Sequence, residues 1–347
     1  MPPLVVVVGG INMDIQARSA ATFRPGDSNP GSVSLSAGGV GRNVAANLVS
    51  LGLRVELLTV LGDDALSGEL EESCRRDGVG LSAALRRADS PASRYVCLLD
   101  SDGRLVGAVA AMDSFEFLLP QHLDGHASLL DSASVILVDA NVPESSIGWL
   151  ARRYGAKAAR ARADAGADST AAAQAAAARP LPILGLDPVS VAKAARARAW
   201  LGDFAFAKPN RGEALVLAGE EAGASSSPAE LGEKLRATGL RDLFISLGEA
   251  GIFYTGGSER GGVERGFVRP PRSLPAELKP RNVSGAGDAA CAALVWGRLS
   301  GLGLQAQAAC ALSAALLTAA AEATTTPALC PEVLMSISQG VQHEPLP

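Results

Sequence analysis

The chain of 347 residues has no surplus of positive charge, few histidines and little aromatic side chain, and each shortage narrows what it can do. Its 31 Lys and Arg stand against 36 Asp and Glu, a formal net charge of -5. No basic face is expected for a nucleic-acid backbone or an anionic membrane. Five cysteines (Cys74, Cys97, Cys291, Cys310 and Cys330) are odd in number, far apart and free of any CxxC pair. That spacing argues against a disulfide framework or a zinc ribbon and for reduced thiols in a reducing compartment. His122 and His126 have the i, i+4 spacing of a helical metal pair, but no further Cys or His joins them. No run approaches the ~18 uninterrupted apolar residues of a membrane span. The amino terminus lacks the basic region of a signal peptide, so the expected compartment is the cytoplasm. Two nucleotide-binding fingerprints are missing as well: there is no GxxxxGK[ST], and no GxGxxG follows the first apolar run.

What is present is a soluble, core-forming composition, with 48% hydrophobic and 19% charged residues. Leu4 to Val8 reads as a buried parallel strand. Further strands are expected at Val55 to Leu61, Ser134 to Val138, Ile183 to Leu186, Phe204 to Ala207 and Leu243 to Leu247, several followed by helical periodicity. That alternation predicts one α/β domain with a doubly wound, mostly parallel sheet and its site along the carboxyl edge. Residues 15–36 are turn-rich with local alternation, and residues 93–117 contain a hairpin pattern around Asp100-Ser101-Asp102-Gly103. Together they suggest a small β lid. Residues 156–179, almost entirely Ala, Arg, Asp and Gly, read as an exposed helix with a flexible insertion.

The stretch with the most chemistry runs from Asn282 to Ala290 and then into an apolar helix. Ser284 is the expected N-cap, Gly285, Ala286 and Gly287 would offer bare backbone N–H groups, and Asp288 falls in the first turn. Such a helix start can hold an anion such as a transferring phosphate, and a carboxylate beside it can accept a proton from a hydroxyl. The structural alternative is a capped helix with packing glycines. Asn12 and Asp14 follow the first strand, where they could bind vicinal hydroxyls or close an Asx-turn. Gly38, Gly39 and Asn43 open the next helix, where they could approach a sugar ring or serve only as a helix entry. Asn210 and Glu213 have capping-box spacing, and Glu213 could also hold magnesium through water. Lys208 could stabilise phosphate or be a plain strand-end charge. Ser246, Gly248 and Gly251 form either a nucleotide-edge loop or a simple hairpin turn.

In their order and spacing these pieces resemble the ribokinase-like (PfkB) carbohydrate kinases across nearly the whole chain. The amino-terminal family signature falls on Gly38 to Gly52, the carboxyl-terminal one on Asn282 to Leu294, and the magnesium-linked NxxE on Asn210 and Glu213. Segments 28–31, 39–43, 187–193 and 208–213 are similar to those of members that phosphorylate the 5′-hydroxyl of pseudouridine. The resemblance implies Asp288 as catalytic base and Gly285, Ala286 and Gly287 as the anion hole. It implies Asn12, Asp14, Gly38, Gly39 and Asn43 on the nucleoside, Lys208, Asn210, Ser246, Gly248 and Gly251 on ATP, and Glu213 on Mg2+. A homodimer through the lid is implied too. Many members carry Asp-Thr-Thr where this chain has Asn282-Val283-Ser284, which leaves a K+ site open. Another sugar or nucleoside kinase, or a non-catalytic nucleoside binder, are the competing readings.

Overall fold

Alternate residues of the first strand serve two different cores, and the architecture follows from that. Val5 and Val7 pack with the helices Val40–Ser50, Ala286–Leu299 and Leu304–Ala319, whereas Leu4, Val6 and Val8 pack with Glu144–Tyr154, Arg211–Leu217 and Pro228–Ala237. A strand buried on both faces must be apolar at every position, which explains the unbroken Leu-Val-Val-Val-Val. This computed structural model describes residues 2–167, 180–221, 223–257 and 261–346.

Fifteen strands occur among the described residues: β1 (Leu4–Val8), β2 (Asn12–Ser19), β3 (Gly31–Gly38), β4 (Arg54–Leu58), β5 (Val60–Leu61), β6 (Leu85–Arg86), β7 (Arg94–Leu99), β8 (Leu105–Ala111), β9 (Val135–Asp139), β10 (Ile183–Asp187), β11 (Phe206–Ala207), β12 (Asp242–Ser246), β13 (Ile252–Gly257), β14 (Val263–Arg269) and β15 (Gln342–Pro345). Nine of them form the central sheet, in the order β15-β14-β13-β12-β11-β10-β9-β1-β4. From β12 to β4 all neighbours are parallel, and β13, β14 and β15 add an antiparallel edge. The predicted doubly wound α/β sheet is therefore what forms. Chain direction across the sheet reverses between β1 and β9, the position where ligands settle in such folds.

A separate four-stranded sheet, β3-β2-β7-β8, is built from the two segments that looked lid-like. Its β2–β7 and β7–β8 registers put Ile15, Val96 and Val109 in one row, with Ala17 and Leu98 beside them. Strand alternation puts Asp14, Gln16, Tyr95 and Cys97 on the opposite face. Two expected boundaries shift. The strand predicted at Val55 to Leu61 is divided between β4 and β5, because residues 60–61 leave the main sheet to pair with β6. The Phe204 to Ala207 strand shrinks to its last two residues, since a 3-10 segment occupies Ala195–Asp203. Ala156–Ala167 is a helix, and the rest of the Ala-rich segment lies outside the described residues. No helix among the described residues is long and apolar enough to cross a membrane.

Candidate active site

The carboxyl ends of β1, β9, β10 and β11 deliver four polar groups to one crevice. After β1 the chain passes Gly9 and Gly10 directly over Asp139, the last residue of β9. Gly10 N donates to Asp139 Oδ2 at 2.7 Å, and Asn141 N donates to Oδ1 at 2.9 Å. A Cβ on Gly9 would come within 2.3 Å of the same carboxylate, so only glycine fits there. Burial pushes Asp139 up to about 6, with Asp187 adding to the effect and the backbone donors opposing it.

At the end of β10, Asp187 accepts from Val189 N at 2.9 Å and faces Lys208 Nζ at 3.3 Å. Both members of that ion pair are buried. Lys208 is thus no exposed strand-end charge. Burial works against its ammonium, but Asp187, Glu213 and Asp288 together raise its pKa. The turn that holds Asp187 is strained: Val189 has φ +68°, and Ser190 N bonds back to Pro188 O at 2.8 Å. A β-branched residue in that region is a genuine outlier.

The helix Ala286–Leu299 begins beside these groups. Its N-cap is Gly285 at φ +79°, and no side chain caps it. The expectation of Ser284 as the cap fails because the chain must turn through left-handed space against Thr324. A Cβ at Gly285 would sit 2.0 Å from the Thr324 carbonyl. Ser284 N is instead held by Asn282 Oδ1 at 3.0 Å. Ala286 N, expected to be bare, turns back to Val283 O at 3.4 Å; Gly287 follows in the first turn, and the space where its side chain would be lies 3.5 Å from Lys208 Nζ. Asp288 is the third residue of the helix, where the dipole favours its anion. Burial nevertheless pushes it up to about 7, helped by Asp187 and Asp139 and opposed by Asn43 and Lys208.

Asn43 joins this cluster from the other signature. Its Nδ2 donates to Asp288 Oδ2 at 2.9 Å, a bond between residues at opposite ends of the chain. Asn12 Nδ2 donates to Asp14 Oδ1 at 2.6 Å, so these two meet each other as they enter β2. Burial raises Asp14, while Asn12 and the Arg42 charge pull it down. Gly38 and Gly39 have clear packing reasons for being glycine. A Cβ on Gly38 would strike Asp14 Oδ2 at 2.0 Å, and one on Gly39, at φ +98°, would strike Gly10 O at 2.6 Å.

On the other side of Gly287 lies a cavity of about 350 Å³. Asn210, Ser246, Gly248, Gly251, Ala286 and Gly287 reach it, and Ile252, Val283, Leu312, Ala315, Leu316 and Ala319 make it largely apolar. A flat aromatic heterocycle suits such a slot, with phosphates directed toward the helix start. Asn210 and Glu213 form the full capping box: Asn210 N donates to Glu213 Oε2 at 2.9 Å, Asn210 Nδ2 to Oε1 at 2.6 Å, and Glu213 N to Asn210 Oδ1 at 3.0 Å. Burial and Asp187 push Glu213 up to about 7, against the pull of Lys208. A carboxylate oxygen accepting one hydrogen bond still has a free lone pair, so the cap does not exhaust the acceptor capacity of Glu213.

Sequence reasoning assigned no site role to Asp139, Asp187 or Arg42. The first two carried a signal, since both are acids at strand carboxyl ends; Arg42 looked like any helix arginine.

With this geometry in view, the comparisons are specific. Residues 2–329 match the model of the pfkB family carbohydrate kinases. The pseudouridine kinase of Escherichia coli (strain K12) is 30% identical over 290 residues, 84% of this chain and 82% of the relative. A carbohydrate kinase from Agrobacterium tumefaciens of solved structure is 27% identical, with a TM-score of 0.80 and full coverage of both chains. The Arabidopsis thaliana ribokinase solved with ribose and ATP has a TM-score of 0.73 at 20% identity, covering 98% of this chain and 99% of its own.

Proposed function

This chain belongs to the pfkB family of carbohydrate kinases, phosphotransferases that act on a sugar or nucleoside hydroxyl, and we propose that it phosphorylates the 5′-hydroxyl of pseudouridine with ATP. The observation that carries the chemistry is the Asn43–Asp288 hydrogen bond, which joins the sugar-side signature to the base at the anion hole. The substrate assignment leans on the 30% identical Escherichia coli relative.

In this reading the nucleoside lies across Asn12, Asp14 and Asn43, and ATP runs from the apolar cavity toward Gly285, Ala286 and Gly287. The 5′-oxygen attacks the γ-phosphorus, the bond to the β,γ-bridging oxygen breaks with its electrons passing to ADP, and the hydroxyl proton goes to Asp288. A carboxylate held at about 7 is suited to that task, because a substantial fraction is ionised at neutral pH and that fraction is basic enough to take the proton. The backbone N–H groups of the helix start and the Lys208 ammonium face the charge that develops on the phosphoryl oxygens.

Magnesium fits the donor set, since Glu213 is buried with one free lone pair per oxygen and the ion needs only one or two carboxylates beside water and phosphate. Held there, it would neutralise charge on the β- and γ-phosphates. Asn282 Nδ2 donates to Glu322 O at 2.9 Å, so its side chain serves the loop, and this reading gives K+ no part.

The four-stranded sheet acts as a lid in this proposal, with the Asp14 face over the nucleoside. Val33, Leu35 and Val109 on its outer side are 65%, 55% and 68% exposed, which supports pairing with the lid of a second copy. Sedimentation equilibrium finding only monomer at micromolar concentration would remove that part.

The test is a magnesium-supported ATP-turnover assay with pseudouridine, uridine, adenosine and ribose in parallel and product mass checked. Preference for pseudouridine is the expected result. Preference for another acceptor overturns the substrate and keeps the chemistry, and binding of pseudouridine without turnover overturns the enzyme.

A further inference from the structure

The amide of Asn43 has two unlike ends, and which end meets Asp288 decides whether the contact helps or harms a base. Its NH2 can only donate and its oxygen can only accept. The deciding neighbour is Arg42, almost fully buried one residue earlier in the same helix. Arg42 Nη1 donates to Asn43 Oδ1 at 3.1 Å. Its Nη2 donates to Ser73 Oγ at 2.9 Å and forms an ion pair with Asp77, so the next helix, Ala65–Arg76, and the residue that follows it hold the guanidinium from behind. A guanidinium has no acceptor, so only the oxygen end of Asn43 can face it. The NH2 end is then left pointing at Asp288.

We propose that Arg42 is a positioning residue for phosphoryl transfer: anchored on Ser73 and Asp77, it locks the Asn43 amide in the one orientation that donates to the Asp288 carboxylate. The proposal rests on Asp288 being the base. With the lock gone the amide can turn, and its carbonyl would meet the carboxylate, disfavouring the anion.

Three charges bear on Asp288: Asp139 from the end of β9, Asp187 from the end of β10 and Lys208 after β11; the thiol of Cys291, one turn along its own helix, stays uncharged because burial pushes it well up. Among them only Lys208 assists the Asn43 donor in holding the charged form. Losing that donor therefore leaves Lys208 and the helix dipole to hold the anion.

The test is Arg42→Lys, which keeps a cation for Asp77 and for Asp14 but lacks the planar fork that reaches Ser73 and Asn43 together. We expect kcat to fall about tenfold or more, the size of one charge-assisted hydrogen bond, with KM for ATP unchanged. The acidic limb of the kcat/KM profile should move up by about one pH unit. Ser73→Ala, which removes one tether and keeps Arg42, should move the limb the same way by less, and it carries the test if Arg42→Lys does not fold. A fall in kcat with the acidic limb unmoved in the folded variant would reduce Arg42 to a packing residue and overturn the proposal, as would kcat within about twofold of the parent. Asp288→Asn separates the two levels. If that variant is inactive while the profile of Arg42→Lys is unchanged, this inference falls and the assignment of the base stands. Normal turnover in Asp288→Asn would bring down both.

Discussion

Replacing Asp288 by Asn should abolish most turnover and at the same time stabilise the protein, in a manner that depends on pH. The unfolded chain releases the Asp288 proton near 3.8, whereas the native protein keeps it to about 7. Between those values the native state binds more protons, so stability declines as pH rises, and above 7 the whole cost is present. At about 1.4 kcal/mol per pH unit, the gap of about three units corresponds to roughly 4 kcal/mol, an upper figure for a group that shares its environment with Asp187 and Lys208. At about pH 5.5 only about half of that cost has accrued, and at about pH 8.5 all of it. Asn keeps the shape, its carbonyl can still accept from Asn43, and it carries no charge. The variant's gain in free energy of unfolding should therefore be larger at the higher pH by about 2 kcal/mol. Urea unfolding of parent and variant at both pH values reads that difference directly, and single-turnover phosphoryl transfer reads the loss of the base. Equal gains at the two pH values would show that burial is not what holds the Asp288 proton. Near-normal kcat would show that this carboxylate is not the base.

Glu213→Gln preserves an acceptor for the capping box and removes the charge, so the magnesium concentration giving half-maximal rate should rise about tenfold or more; an unchanged magnesium requirement would leave Glu213 as a helix cap alone. Leu316→Trp fills the apolar cavity and should raise KM for ATP about tenfold with KM for the acceptor unmoved; an effect on the acceptor instead would move the nucleotide to another site. Val189→Gly relieves a left-handed conformation that costs a β-branched residue about 1–2 kcal/mol, partly offset by about 0.5–1 kcal/mol of glycine entropy. Because the Val189 side chain also packs against the core, its loss offsets the strain relieved, so the melting temperature should stay nearly constant while kcat falls as the turn no longer fixes Asp187; a fall of the size of an ordinary core truncation would refute the assignment of strain.

Much of the fold could be read locally because its signals are local. The all-apolar β1, the capping box at Asn210 and Glu213, the two glycine signatures and the alternation that builds the second sheet each lie within a short window. Even the central candidates Asp288 and Asn43 were legible, though not the bond between them, which joins residues that only the folded sheet brings together. The same limit hid the Asp187–Lys208 pair and the guanidinium behind Asn43. Ser284 was misjudged for a different reason. Ser is the better cap by propensity, but contact with Thr324 demands a left-handed residue, and tertiary fit overrode local preference. The division of Val55 to Leu61 reflects competition between two sheets for the same backbone donors, which no window pattern contains.

Buried acids at the two ends of this sheet differ in a way that separates architecture from chemistry. At the amino end of β12, Asp242 is buried and surrounded by partners: Arg298 Nη2 at 2.5 Å, Arg241 Nε at 3.7 Å and the Gly257 N–H at 3.3 Å. Charge there is matched by charge, as a purely structural acid requires. At the carboxyl end, Asp187, Glu213 and Asp288 converge around Lys208, whose Nζ pairs among the described residues with Asp187 alone, while Asp139 acts on the ammonium of Lys193. Asp139 and Asp288 are held above the ordinary carboxylate range by their burial and by Asp187, and a strained Val189 sits in the same crevice. Neither condition serves the stability of the fold, since a second guanidinium like Arg298 would satisfy the acids and a glycine would relax the turn. An arrangement that leaves acids short of cations and a backbone under strain is retained where the missing charge arrives with a ligand. Here that edge is also where the glycine-lined helix start and the apolar cavity meet, so the imbalance supports the proposal that a nucleotide and its metal complete the site there.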